Sequence, residues 1–214
     1  MTTEEKILTY KLIAISRGAD SSAMPKMCEA ILRGGIRMLE ITFDHTSKNG
    51  IANTLACIKT VKTQFGDRIC VGAGTVLTAE EVRLAADAGA EYMISPNVNT
   101  AVIAETKKLG LLSIPGAMTP TEAESAVEAG ADFVKLFPAS ALGLPYFKAI
   151  VAPLKHIRFL PTGGITPELI PEFMKLGAVG FGIGGNLTNA KLVKEGKFDV
   201  IEKAARAFTE AAGL

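Results

Sequence analysis

The stretch LLSIPGAMTPTEAESAVEAGADFVKLFP, Leu111–Pro138, holds one full unit of the plan on which this chain is built. It opens on an apolar run, Leu111–Ala117, and closes on another, Phe133–Pro138, with a helical segment between them. Thr119-Pro120-Thr121-Glu122 marks the helix start. A hydroxyl caps the first turn, proline sits where its missing N–H costs nothing, and a glutamate reaches back to the cap. Ala129-Gly130 marks the end, because glycine takes the left-handed conformation that closes a last turn. A strand, a helix and a strand joined by loops this short make the two strands parallel.

The same unit recurs in both directions. The strand-like runs are Lys11–Ser16, Met38–Phe43, Ile69–Gly74, Tyr92–Pro96, Leu111–Ala117, Phe133–Pro138, Phe159–Gly164 and Val179–Gly184. Thr78 with Glu81, and Thr166 before Pro167 and Glu168, repeat the capping pattern; Gly34-Gly35, Gly89, Gly110 and Gly177 repeat the stop. Eight parallel units predict an α/β fold of the (β/α)8 TIM-barrel kind, one domain over residues 1–214. A doubly wound open sheet is the other arrangement of this alternation, but its first turn carries a dinucleotide fingerprint. Here that turn is Ser16-Arg17-Gly18-Ala19-Asp20, without the glycine spacing. Thr3–Tyr10 reads as a short N-terminal helix under the barrel floor. Lys194–Ala212 reads as the closing helix, with Val200, Ile201, Ala204, Ala205 and Phe208 on its apolar side.

Charge narrows the function. The formal net charge is +1 and the basic residues are scattered, so no nucleic-acid partner and no membrane surface are expected. No apolar stretch has membrane-spanning length, and the first residues lack the apolar core of a signal peptide. Cys28, Cys57 and Cys70 stand far apart without a CxxC and read as small buried thiols of a reducing, cytoplasmic setting.

Strand residues of a barrel alternate between interior and helix layer. Two ionisable residues fall on inward positions: Glu40 between Leu39 and Ile41, and Lys135 between Val134 and Leu136. An isolated buried charge shifts its pKa by up to about 3–5 units or costs several kcal/mol. One reading is an internal ion pair, which would say little about function. The other is chemical: a lysine desolvated beside Phe133 and Phe137 is a free amine able to attack a carbonyl, and a nearby carboxyl can move protons.

Thr162-Gly163-Gly164 and Gly184-Gly185 follow the last two strands, before helix starts, where this barrel commonly binds phosphate on backbone N–H groups. The alternative is that these glycines only permit tight turns. His156 reads as a surface residue and His45 as a solvated loop residue on the rim. Two histidines without His-x-His or HExxH spacing predict no metal site and no cofactor.

These motifs resemble the 2-keto-3-deoxy-6-phosphogluconate and 4-hydroxy-2-oxoglutarate aldolase family along essentially the whole chain. Gly35–Phe43 resembles the family's first signature, which implies that Glu40 is its general acid/base. Gly130–Ala139, with Gly143 beyond, resembles the second, which implies that Lys135 forms the Schiff base. Gly72–Leu77, Ser95-Pro96-Asn97, Pro115-Gly116 and Pro161–Ile165 are similar to family loops, and Thr75 takes the place of the threonine that binds the pyruvate carboxylate. Pro96 and Phe137 join Arg17 and Thr75 as substrate-binding candidates. The resemblance also implies a trimer and a keto-acid substrate, phosphorylated at its far end. Gluconate-type members carry an arginine after the first signature, where this chain has Asp44-His45-Thr46. Arg17 is the candidate to offset Asp44 and bind the carboxylate. Relatives that act on the galactonate isomer also lack that arginine and carry Arg-Gly after the first strand.

The expected reaction cleaves a 2-keto-3-deoxy-6-phospho sugar acid to pyruvate and glyceraldehyde 3-phosphate, with 4-hydroxy-2-oxoglutarate as a further substrate. A galactonate-specific aldolase, a phosphate-binding isomerase or epimerase, and a non-catalytic sugar-phosphate-binding barrel are the alternatives.

Overall fold

A computed structural model describes residues 1–18 and 21–214; Ala19 and Asp20, the end of the first strand-to-helix turn, lie outside the described residues. The strands are β1 (Leu12–Ser16), β2 (Met38–Thr42), β3 (Cys70–Gly74), β4 (Tyr92–Ile94), β5 (Leu112–Ile114), β6 (Gly116–Ala117), β7 (Val134–Leu136), β8 (Phe159–Pro161) and β9 (Phe181–Ile183). Each falls within one of the expected runs. β5 and β6 are halves of one run, divided at Pro115. Proline has no N–H for the ladder toward β4, while its carbonyl still accepts from Lys135 N–H at 2.9 Å.

All strand pairs are parallel. One sheet runs β5-β4-β3-β2-β1-β9 and the other β6-β7-β8. Pro115 links the two at one seam, and a parallel bridge from Thr162 to Gly182 joins them at the other. The result is the (β/α)8 barrel. The alternation holds: Leu39, Ile41, Val134 and Leu136 pack with the helices, while Met38 and Phe133 join an interior cluster with Ile13, Cys70, Tyr92 and Leu160. Helix α1 (Thr3–Tyr10) closes the floor by inserting Ile7 into that interior cluster.

The other helices are α2 (Met24–Arg33), α3 (Gly50–Phe65), α4 (Ala79–Asp87), α5 (Thr100–Lys108), α6 (Pro120–Glu128), α7 (Ala139–Val151), α8 (Leu169–Lys175), α9 (Ala190–Lys194) and α10 (Phe198–Ala211). Thr78 and Thr119 form complete capping boxes with Glu81 and Glu122. Thr166 does not cap a helix. Its carbonyl accepts from Leu169 N–H in a turn, and α8 starts at Leu169 without a side-chain cap. The expected closing helix is α10, which starts at Phe198 and not at Lys194; Gly196, at φ 69°, separates it from α9. On α10, Ile201, Ala205 and Phe208 are buried, but Val200 is 40% exposed and belongs to the outer face. A Cβ on Gly34 would come within 2.3 Å of Ala205 Cβ, so this glycine lets α10 seat against α2.

Candidate active site

Strand register sets Lys135 and Glu40 in the barrel. Lys135 pairs with Gly116 and Leu160, and Glu40 with Ile15 and Gly72. Both side chains are buried, at 3% and 1% exposure. Gly74 makes room for the carboxylate, since a Cβ there would stand 1.9 Å from Glu40 Oε1. Lys135 Nζ lies 4.9 Å from the centroid of the Phe137 ring.

The internal ion pair is not formed as a direct contact. Neither oxygen of Glu40 has a hydrogen-bond partner among the described residues. Such a buried, unsatisfied group costs about 1–3 kcal/mol or more if charged. That cost weighs most on the charged form. Burial pushes the Glu40 carboxyl above its ordinary range, against the opposing pull of the Lys135 and Arg17 charges. Burial lowers Lys135, opposed by Glu40 and reinforced by Arg17. Both shifts favour the neutral form of each group, an amine able to act as a nucleophile and a carboxyl able to act as an acid.

Above them, Arg17, Thr42, Phe43, Asp44, His45 and Thr75 line a cleft of about 440 Å³ at the mouths of β1, β2 and β3. Thr75 has φ 55°, left-handed backbone that a β-branched residue rarely adopts, and so carries local strain at the cleft. Asp44 does not depend on Arg17. Its carboxylate accepts from Thr46 N–H at 2.8 Å, Thr46 Oγ1 at 2.6 Å and Ser47 Oγ at 2.7 Å. Those donors lower its pKa to about 2. No Arg17–Asp44 ion pair forms among the described residues. His45 is exposed in the loop after β2, as expected, but it is not unpartnered: Nε2 lies 2.8 Å from Glu81 Oε1. His156 is on the surface, paired with Glu124.

Pro96 is exposed on the rim. A Cβ on Gly116 would lie 2.5 Å from the Pro96 carbonyl oxygen, so Gly116 lets this loop fold against the strand beside Lys135. The two glycine loops also meet. Gly163 and Gly164 both have positive φ, 95° and 70°. Their loop lies on Phe137 and Ser140, within 3.2 Å and 2.1 Å of the positions that Cβ atoms on Gly163 and Gly164 would occupy. Asn186 Nδ2 donates to Ile165 O at 2.7 Å and clips the second loop to the first. No backbone carbonyl among the described residues takes the N–H of Gly164, Gly184 or Gly185. Thr162 is buried, its carbonyl accepting from Ala139 N–H. The helix starts expected directly after these glycines lie further on, at Leu169 and Ala190.

Comparison with known proteins shows the family. Residues 3–204 match the family described as KDPG and KHG aldolase. The chain belongs to that family. It is therefore an aldolase, a lyase that breaks a carbon–carbon bond. It is 34% identical over 180 residues to the 2-dehydro-3-deoxy-6-phosphogalactonate aldolase of Escherichia coli K12, covering 84% of this chain and 85% of that one. It is 35% identical over 174 residues to the 2-dehydro-3-deoxy-phosphogluconate aldolase of Treponema pallidum, covering 79% and 77%. A KDPG aldolase from Legionella pneumophila, crystallised with pyruvate captured as a covalent carbinolamine intermediate, superposes with a TM-score of 0.85. It is 25% identical, with 97% of this chain and 98% of that chain covered.

The contacts that sequence reasoning missed, His45 with Glu81 and Asn186 with Ile165, join residues 36 and 21 positions apart. Only the donors around Asp44 had a local signal, since Asp followed by Thr and Ser is a side-chain turn pattern.

Proposed function

We propose that this aldolase cleaves a 2-keto-3-deoxy-6-phospho sugar acid to pyruvate and glyceraldehyde 3-phosphate, with Lys135 as the imine-forming nucleophile and Glu40 as its proton carrier. The carrying observation is the buried Lys135–Glu40 couple, in which burial favours the neutral form of both groups. The Lys135 amine attacks the C2 carbonyl carbon, and Glu40 protonates the departing oxygen, so that the carbinolamine loses water to an imine. Glu40, now ionised, takes the proton of the C4 hydroxyl. The C3–C4 bond breaks, its electron pair enters the iminium, and the aldehyde leaves. The remaining enamine takes a proton at C3, and hydrolysis frees pyruvate and the lysine.

Arg17 and Thr75 serve the keto-acid carboxylate, Pro96 and Phe137 wall the reacting carbons, and Thr162, Gly163, Gly164, Gly184 and Gly185 receive the phosphate. The same catalytic couple serves 4-hydroxy-2-oxoglutarate, which yields pyruvate and glyoxylate. A second reading, the galactonate epimer at C4, draws on Asp44. This anionic residue occupies the gluconate-type arginine position, with Arg17-Gly18 across the cleft. The working unit in this proposal is a single barrel of residues 1–214, assembled as a trimer in the cytoplasm; the family resemblance and three buried cysteines outside any disulfide support it.

Pyruvate with borohydride tests the chemistry. One pyruvyl unit should be fixed on Lys135. A label on Lys11 or Lys155 overturns the assignment, and no label points to the isomerase or the binding barrel. Turnover of both C4 epimers and of 4-hydroxy-2-oxoglutarate then separates the substrates.

A further inference from the structure

His45 has no part in the chemistry above, yet it is built into the cleft. Glu81 is 6% exposed. Its Oε2 accepts from Leu77 N–H at 2.7 Å and Thr78 N–H at 3.3 Å, and its Oε1 lies 2.8 Å from His45 Nε2. The carboxylate is therefore fixed at the start of α4, and the imidazole is fixed by it. The ring also packs near Phe43, with centroids 6.2 Å apart. Its side chain is 31% exposed and lines the cleft with Arg17 and Thr75. Among the described residues Nδ1 has no partner. A histidine oriented through one nitrogen presents the other to a ligand in a defined direction.

The charges around the cleft give that nitrogen a task. Arg17 is a cation; Asp44 and Glu81 are anions, and a keto-acid carboxylate adds a third. The two ring nitrogens of His45 can bridge the fixed Glu81 carboxylate and a ligand carboxylate in the cleft. We infer that His45, braced by Glu81, is a specificity-determining contact of this enzyme that donates Nδ1–H to the keto-acid carboxylate beside Arg17 and Thr75. The inference rests on the carboxylate end lying in this cleft, as in the reading above.

His45→Gln tests it. The glutamine amide can still donate to Glu81 from near the Nε2 position, but nothing replaces Nδ1. The readout is half-saturation of borohydride trapping by pyruvate and by methyl pyruvate, which keeps the ketone and lacks the carboxylate charge. Loss of one charge-assisted hydrogen bond should raise the pyruvate value roughly 10- to 100-fold. Methyl pyruvate should be unchanged, as should the trapping rate at saturation. His45→Asn, whose amide nitrogen falls near the Nδ1 position, should recover part of the loss. An unchanged pyruvate value in His45→Gln overturns the inference, and so does an equal shift for both ligands. Failure of the wild-type enzyme to trap pyruvate would instead strike at the Schiff-base reading.

Discussion

Two glutamates at opposite ends of the same barrel are treated in opposite ways. Glu91, at the floor, accepts from Lys6 Nζ at 2.9 Å, Lys62 Nζ at 2.8 Å and Cys70 Sγ at 3.4 Å. Burial would raise its carboxyl, but the bonds and charges of Lys62 and Lys6 outweigh burial and hold it below the ordinary range. Glu40, toward the mouth, has no hydrogen-bond partner among the described residues and is held above that range. The floor uses its carboxylate as a fastening, tying α1 to α3 and the strands. The mouth leaves its carboxyl unfastened, at a cost in stability, and that keeps its proton exchangeable. A barrel of this kind separates the end that holds it together from the end that reacts.

The sharpest way to break this contrast is Glu40→Gln. Turnover should fall on the order of 10²–10⁴-fold, the range for one acid/base group, and pyruvate imine formation should slow with it. Thermal stability should hold, or rise, at alkaline pH. A carboxyl with a raised folded pKa weakens the fold as pH climbs through that value, because the charged form is then the buried one. Near-normal turnover would remove Glu40 from the mechanism.

Arg17→Ala probes the same end from its rim. The Michaelis constant for keto acids should increase roughly 10- to 100-fold, the scale of a lost charge-assisted contact. The Arg17 charge lowers both Glu40 and Lys135, so both limbs of the kcat/KM profile against pH should move to higher pH. A profile that stays in place while the Michaelis constant changes would confine Arg17 to binding.

Glu91→Gln gives the smallest effect and the mirror image. Stability should drop by roughly 2 kcal/mol at neutral pH, from partners left unpaired, while turnover is retained. Because the folded pKa of Glu91 is depressed, the difference from wild type should vanish as pH falls through that value. Equal loss of activity would mean that the floor and the mouth are coupled after all.

The strands and the two inward charges were legible because alternation with a period of two exposes a misplaced Glu or Lys at once. The helix starts at Thr78 and Thr119 were legible because a capping box lies within four residues. Thr166 misled because proline after threonine suits a turn as well as a helix start. The start of the closing helix was set too early because Lys194-Glu195-Gly196-Lys197 carries no apolar residue to fix the boundary, and the apolar spacing begins only at Phe198. The left-handed backbone of Thr75 had no signal at all, since threonine is a common strand residue. Asp44 was read as needing a cation from across the cleft, and its own neighbours Thr46 and Ser47 supply the donors instead.

The interior plug beneath Glu40 has a stereochemical consequence. Ile7, Ile13, Met38, Tyr92, Phe133 and Leu160 are each at most 2% exposed and fill the lower chamber. Among the described residues this plug closes the lower end, so water should reach a bound enamine from the open end. The expected consequence is delivery of the final proton to one face of its planar C3. With a substrate carrying deuterium in place of one C3 hydrogen, and tritium in the solvent, the pyruvate methyl group would be released as a single chiral isotopomer.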